Sequence, residues 1–442
     1  MSRLLAALVL TVLLVPPPLQ AAGMTTHALM ADFGRQALRN EPLKALLTLH
    51  RPSLLAGAIH PDGGYGSGVL FAEDREMAER AHWGDFQLAF IDYLQTATPC
   101  AEEARTMIAA LPAVQNPVGL INPNLLPSER CGRLIAFAFG NAAHGLTDET
   151  WDSLFEPVVR ERGEDPNPAG FLDDDVFGPF TPAALLRAVT GEAGYAALRD
   201  LFGATPLNAI EYAMDIVAIV EQSLWEDAPA LELPPAADLV AVYRINRPEQ
   251  GVTEAMIQRA QVVTRSAVTA ERAGAPVEIT RIRNQMPWAS ANYYAGPGGV
   301  VDSGYMVAGL YEQMWRQLLA RDASELGPPR VIGVHPRHGA VDVAIGREQA
   351  GLRIPAFFGH SMDPARRESP GAFRLLDRQG RVVEGRVEPG IYQREFTHTS
   401  KFFPAADLRA GERYTVVLTP RLRDQRGARL ADRYSWSFTT AP

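Results

Sequence analysis

The sequence predicts a mainly α protein in which a long helical region is followed by a small all-β sandwich. Two periodicities and one break carry that expectation. Around residues 208 to 224, Ile210, Met214, Val217, Val220 and Leu224 recur at three- and four-residue steps, the mark of a helix packed on one face. Met306 to Leu319 repeats the pattern through Val307, Leu310, Tyr311, Met314 and Leu318. This texture runs from Thr26 to about Leu319 and stops at Gly327-Pro328-Pro329. Beyond it, Val331, Val341-Asp342-Val343, Leu352-Arg353-Ile354, Tyr414 to Leu418 and Tyr434 to Phe438 alternate with period two between Gly, Pro and Asp turns. Such runs predict short strands of an antiparallel sandwich. The expected division is a leader at 1–22, a helical domain at 23–327 and a sandwich at 328–442.

At 442 residues the chain has room for two or three domains of about 150 residues. Hydrophobic residues at 47% and charged residues at 21% give a globular rather than a disordered composition. A net charge of −9 lacks the basic footprint of a phosphate-backbone binder, so nucleic acid is a disfavoured partner. Residues 1–22 read as an export signal: Arg3, an apolar run from Leu4 to Val15, then Pro16-Pro17-Pro18, with cleavage expected after Ala21 or Ala22. No later stretch reaches about 18 uninterrupted apolar residues, and the mature protein is expected to be secreted or periplasmic. In an oxidising compartment the two cysteines, Cys100 and Cys131, are expected to pair; two buried thiols are the alternative.

The sharpest chemical signal lies in the apolar run Phe139 to Asp148, where His144 and Asp148 stand four residues apart and leave one helix face together. Such a pair is more often a helix-surface pair, and a metal site needs further ligands. Upstream candidates are His27 at the start of a helix, Asp62 in the turn-rich His60-Pro61-Asp62-Gly63-Gly64-Tyr65, and His82 before Trp83-Gly84. Taken singly, Asp62 reads as a turn former, His82 as a core histidine, and Trp83, Trp151 and Trp288 as core. His335, His338, His360 and His398 fall in the strand-rich stretch and read as non-catalytic. Assembled imidazoles and carboxylates suit zinc, and a shared carboxylate suits two zinc ions.

In this order, Thr26-His27, Pro61-Asp62, His82-Trp83, and Gly140 through His144 to Asp148 with Trp151 following resemble the zinc-dependent phospholipase C family. Within it they resemble the glycosylphosphatidylinositol-specific phospholipase D branch. Pro168-Ala169-Gly170 with Asp175-Val176, and Gly296-Pro297-Gly298-Gly299 leading to Tyr311-Glu312 and Trp315, extend the resemblance as scattered motifs over roughly residues 25 to 320. The resemblance implies an all-helical phosphodiester hydrolase, of phospholipase C or D type. It puts Asp62, His82, His144 and Asp148 on one zinc ion, and His27, the mature N-terminal amine and a bridging Asp148 on a second. It also implies in-line attack at phosphorus by a hydroxide held between the ions, with Asp62 as the catalytic proton acceptor. A phospholipid, or another phosphodiester, would be the substrate, reached by transient contact with a membrane surface.

The pattern departs at the third metal. Asp152 stands where the family has a His after the Trp, Asn167 stands before Pro-Ala-Gly, and Phe171 falls on the usual carboxylate, with Asp173, Asp174 and Asp175 nearby. Oxygen donors there favour a harder cation than zinc, or leave that position without an ion. Asp152 also reads as a surface acid, and Asp173 to Asp175 as an exposed loop or helix cap. These departures motivate a second reading, a non-catalytic cell-surface binding protein with a partly degenerate metal site. A third reading keeps the chemistry on another phosphoester or a nucleic acid. From Val334-His335-Pro336 to Trp436-Ser437-Phe438-Thr439-Thr440 the chain resembles the immunoglobulin-like modules of bacterial surface-layer and secreted proteins, which implies spacing, stabilisation or cell-surface attachment.

Overall fold

The computed structural model describes residues 23–68, 71–110, 126–165, 209–221, 231–322, 324–344, 353–367, 371–389 and 397–442. The leader, Asn167, Phe171, Asp173, Asp174 and Asp175 lie outside the described residues. Among those described, no helix is long and apolar enough to cross a membrane. The helical region runs α1 (Met24–Ala37), α2 (Glu41–Leu49), α3 (Arg51–Ser67), α4 (Ala72–Ala81), α5 (Gly84–Thr96), α6 (Cys100–Ala110) and α7 (Glu129–Thr150). It continues with α8 (Glu156–Glu161), α9 (Ala209–Glu221), α10 (Ala236–Asn246), α11 (Glu254–Gln285), α12 (Pro287–Asn292) and α13 (Val300–Leu319).

Local chemistry sets several of these ends: the Asn40 side chain accepts from Leu43 N at 3.1 Å to cap α2, and Thr253 caps α11 through Met256 N. The stripe of α13 is buried as its spacing requires. In α9, Ile210, Met214 and Val217 are buried, whereas Val220, in the last turn, is exposed and Leu224 lies outside the described residues. The axis of the region is α7, in which every residue from Leu134 to Thr150 is buried. It crosses α3 at a distance only glycine permits. A Cβ on Gly140 would meet Leu54 O at 1.9 Å, and one on Gly57 would meet Phe137 O at 2.1 Å. A disulfide between Cys100 and Cys131 ties the start of α6 to the first turn of α7.

The strands are β1 (Val331–Val334), β2 (Ile354–Met362), β3 (Phe373–Leu376), β4 (Val382–Val383), β5 (Gly385–Pro389), β6 (Thr397–Pro404), β7 (Arg413–Leu418) and β8 (Tyr434–Thr439). They form two antiparallel four-stranded sheets, ordered β1-β2-β6-β5 and β4-β3-β7-β8, closed over Ile354, Phe358, Phe373, Phe402 and Trp436. Residues 341–343 make no strand. Asp342 takes a left-handed φ of 56°, which breaks the extended run and leaves Val343 a single bridge to Thr440. The strand expected around Leu352 to Ile354 begins at Ile354 and is not alternating at all. Every residue of β2 is buried, because one face meets the sandwich core while Phe357 joins the core of the helices.

Replacing both cysteines by serine removes a cross-link closing 31 residues and is expected to lower the unfolding free energy by about 3 to 4 kcal/mol in a urea titration.

Candidate metal centre

A helix buried on all sides is expected to be apolar throughout, yet the second half of α7 carries Asn141, His144, Thr147, Asp148 and Glu149, all buried. His144 and Asp148 project together, with Nε2 and Oδ2 3.3 Å apart. Around them gather side chains from three other segments. His27, in the first turn of α1, puts Nε2 3.0 Å from Asp148 Oδ1. His82, just past the end of α4, puts Nε2 3.7 Å from Asp148 Oδ2 and 3.9 Å from Asp62 Oδ1. Asp62, from α3, lies with Oδ1 3.7 Å from His144 Nε2. The five residues named from the sequence therefore share one pocket.

The outer nitrogens decide what the inner ones can do. His144 Nδ1 donates to the Ala58 carbonyl at 2.7 Å and His82 Nδ1 to the Ala78 carbonyl at 2.9 Å, since a carbonyl can only accept. Thr147 Oγ1 spends its one proton on the His144 carbonyl at 2.9 Å, so it accepts from His27 Nδ1 at 2.6 Å. With Nδ1 holding the ring proton in each case, a neutral histidine presents a bare Nε2 lone pair to the pocket. All three Nε2 atoms are buried: those of His82 and His144 lie 3.3 to 3.9 Å from carboxylate oxygens, and that of His27 lies 3.0 Å from Asp148 Oδ1, where a ring proton would pair with the carboxylate. Lone pairs facing carboxylates repel unless a proton or a cation lies between. Ligand atoms at tetrahedral bonds of about 2 Å sit about 3.3 Å apart, close to the separations here. Two overlapping groups could each hold a metal ion, His27 with Asp62 and His144, and His82 with His144 and Asp148. This donor set of imidazole and carboxylate, oriented by outer hydrogen bonds, fits zinc.

Electrostatics agree with the geometry. Burial opposes charging His27, but the Asp148 carboxylate outweighs it and raises the pKa above the usual imidazole value. Burial likewise opposes ionising Asp148, yet His144 and His27 hold it well below the usual carboxylate range. His60, two residues before Asp62, is buried beside Phe137 and Tyr243; burial first, then His144 and His82, push it down to about 3, and among the described residues it belongs to neither group that could hold a metal ion. The first turn of α1 is fixed by Asp215 of α9, which accepts from Thr25 N at 3.1 Å, Thr26 N at 2.7 Å and Thr26 Oγ1 at 2.6 Å. Burial pushes Asp215 up to about 6. Glu271 of α11 accepts from Thr25 Oγ1 at 2.8 Å and is also raised, by burial and by Asp215. Gly23, ahead of α1, packs on the Asp215 carboxylate, where a Cβ would meet Oδ2 at 2.3 Å.

Two expectations change. Asp62 is not in a turn: α3 continues through Pro61 to Ser67. Gly63 and Gly64 serve close packing instead, since a Cβ on Gly63 would meet Ala260 O of α11 at 2.7 Å, and one on Gly64 would meet Asp74 O of α4 at 2.8 Å. Asp152 is not a surface acid. It is buried in a π-helical turn, Trp151–Phe155, where burial and the neighbouring Glu156 raise its pKa well above the ordinary value. Among the described residues it belongs to neither metal-holding group. Trp83 and Trp151 are buried, and Trp288 is half-buried under Arg162. Thr147, the Ala58 and Ala78 carbonyls and Asp215 position the site without any reading from sequence; Thr147, three residues after His144, was the one within reach of helical spacing.

Residues 326–440 match the bacterial Ig-like domain family. The chain is 27% identical over 160 residues to phosphatidylinositol-glycan-specific phospholipase D of Rattus norvegicus, and 25% identical over 157 residues to that of Mus musculus. Each match covers 35% of this chain and only 16% of the relative's own length. Among solved structures, CopC from Methylosinus trichosporium OB3b is similar at 17% identity and TM-score 0.20, over 26% of this chain and 94% of that one. The S-layer protein rSbsC(31-844) is similar at 14% identity and TM-score 0.21, over 80% of this chain and 33% of that one.

A metal ion taken up at His27 would have to displace the proton that Asp148 favours on that ring. Zinc affinity is therefore expected to rise with pH through and beyond the ordinary imidazole range near 6.5, with proton release visible when titration calorimetry is repeated in buffers of different ionisation enthalpy. Gly140→Ala is expected to destabilise the fold by about 1 to 3 kcal/mol and to weaken zinc binding, because spreading α3 from α7 moves the Ala58 carbonyl off His144; melting curves with and without zinc check it.

Proposed function

We propose that this chain is an exported, zinc-dependent hydrolase of phosphodiester bonds that acts on phospholipids or a related phosphoester. The observation that carries the reading is the convergence of three buried imidazole Nε2 atoms on two carboxylates. The distant similarity to a phospholipase D supports the reaction class. His82, His144, Asp62, Asp148 and His27 would hold the metal. Bound there, divalent ions would polarise the phosphoryl group and neutralise the negative charge that builds on its oxygens. The chain's own part is orientation and proton handling. Outer hydrogen bonds to Ala58, Ala78 and Thr147 keep the imidazoles aimed, and burial excludes competing water. Asp62, whose side chain at 17% exposure is more open than the 8% of Asp148, would take a proton from an attacking water. Asp152 and Glu156, one turn on, leave the third position of the resemblance to a harder ion or to none.

Metal analysis of the signal-free protein is expected to give at least one zinc equivalent, with hydrolysis of phospholipid vesicles. His144→Ala is expected to lose zinc and to lower turnover by more than about a hundredfold while helical circular dichroism persists. Undiminished turnover in that variant would sink the proposal. Zinc without turnover favours the binding-protein reading, and cleavage of short phosphodiesters but not of vesicles moves the substrate away from lipid.

A further inference from the structure

The sandwich reaches the metal-bearing helix through a buried hydrogen bond. Glu149 follows Asp148 on α7, and its Oε1 accepts from the backbone N–H of His398, in β6, at 2.9 Å; both residues are buried. Successive helical side chains leave about 100° apart, so as Asp148 faces the histidines its neighbour can face the sandwich. Further contacts bracket this one. Arg353, just before β2, donates from Nη1 to the Asp152 carbonyl at 3.0 Å, one turn beyond Asp148. The His398 ring is itself fixed, with Nδ1 2.9 Å from Phe358 O and Nε2 2.8 Å from Gln87 Oε1 of α5. Elsewhere along the interface, Arg337 and Asp302 pair at 2.8 Å at the solvent edge, where such a pair contributes little.

We infer that the sandwich is a positioning element of the metal centre, and that Glu149 is the positioning residue through which it acts. This rests on the metal reading above. Asp148 is the carboxylate that His27 and His144 share, at 3.0 and 3.3 Å, and a shared ligand has to be held within about half an ångström to serve both. The helix does not hold it unaided, because α7 gives way after Thr150 to the π-helical turn Trp151–Phe155, where the regular hydrogen-bond ladder changes register. A carboxylate accepting a buried backbone N–H is a strong, directional hold. The Glu149–His398 bond thereby sets the rotation of the last turn of α7, and with it the aim of Asp148. A domain of a type that spaces or attaches its neighbours here forms the back of the site.

The test compares zinc dissociation constants of full-length wild type, Glu149→Ala, Glu149→Gln and Arg337→Ala by competition with a chelating dye. Glu149→Ala is expected to weaken zinc binding by about 10- to 100-fold. Glu149→Gln, which keeps an acceptor oxygen for His398 N–H, is expected to restore most of it, and Arg337→Ala is expected to bind as wild type. A folded Glu149→Ala that binds zinc like wild type overturns the inference, as does an equal loss in Arg337→Ala. Should Glu149→Ala fail to fold, hydrogen exchange on the wild type decides, because the coupling is reciprocal. Zinc added to metal-free protein is then expected to slow exchange of the His398 amide together with α7, and slowing confined to the helices overturns the inference. Wild type without zinc affinity overturns the metal reading and the positioning role together; tight wild-type binding that ignores Glu149→Ala overturns the positioning role alone.

Discussion

The commitment of three ring protons constrains everything around the pocket. Because Ala58 O, Ala78 O and Thr147 Oγ1 each engage an Nδ1, His144, His82 and His27 all turn Nε2 inward. Asp62 and Asp148 add carboxylate oxygens to the same pocket. Such an assembly is tolerable in a buried interior when positive charge is present at its centre, whether one proton on His27 or metal ions. The surrounding fold can be understood as the means of holding these like-disposed groups together.

That holding is done by backbone proximity more than by side-chain bulk. The acceptor for His144 is a main-chain oxygen of α3, reachable because Gly57 and Gly140 let α3 and α7 touch along their backbones. Asp62 hangs from the same helix, so one crossing sets both a ligand and the acceptor that orients another ligand. On the other side, Asp215 and Glu271 grip Thr25 and Thr26 and fix where α1 begins, which fixes His27 one turn later in the pocket. Buried acids serve there as anchors for chain ends, and their raised pKa values follow from being enclosed.

How much of this is legible in the sequence follows from the range of the interaction involved. The helix-then-sandwich order is legible because periodicity is local, and the pairing of His144 with Asp148 is legible because a four-residue step has one meaning on a helix. Asp62 misleads because Pro-Asp-Gly-Gly is good turn chemistry; the packing of Gly63 on α11, far along the chain, and of Gly64 on α4 favours the helix instead. Asp152 reads as exposed because the elements that bury it include a strand region two hundred residues away, from which Arg353 arrives. Val341 to Val343 alternates perfectly yet forms no strand, since one residue, Asp342, turns left-handed. The carbonyls that orient the imidazoles leave no trace in any side-chain pattern.

One strand carries a consequence for the whole chain. With Phe358 in the sandwich core and Phe357 in the helical core, β2 belongs to two interiors at once. Neither interior can melt without stripping a face from that strand, so the helical and β regions are expected to unfold together rather than as beads on a string. For the same reason the C-terminal module is not interchangeable with a homologous cassette. A graft would have to reproduce both Phe357 and the buried His398 N–H on a face that free-standing sandwiches give to water.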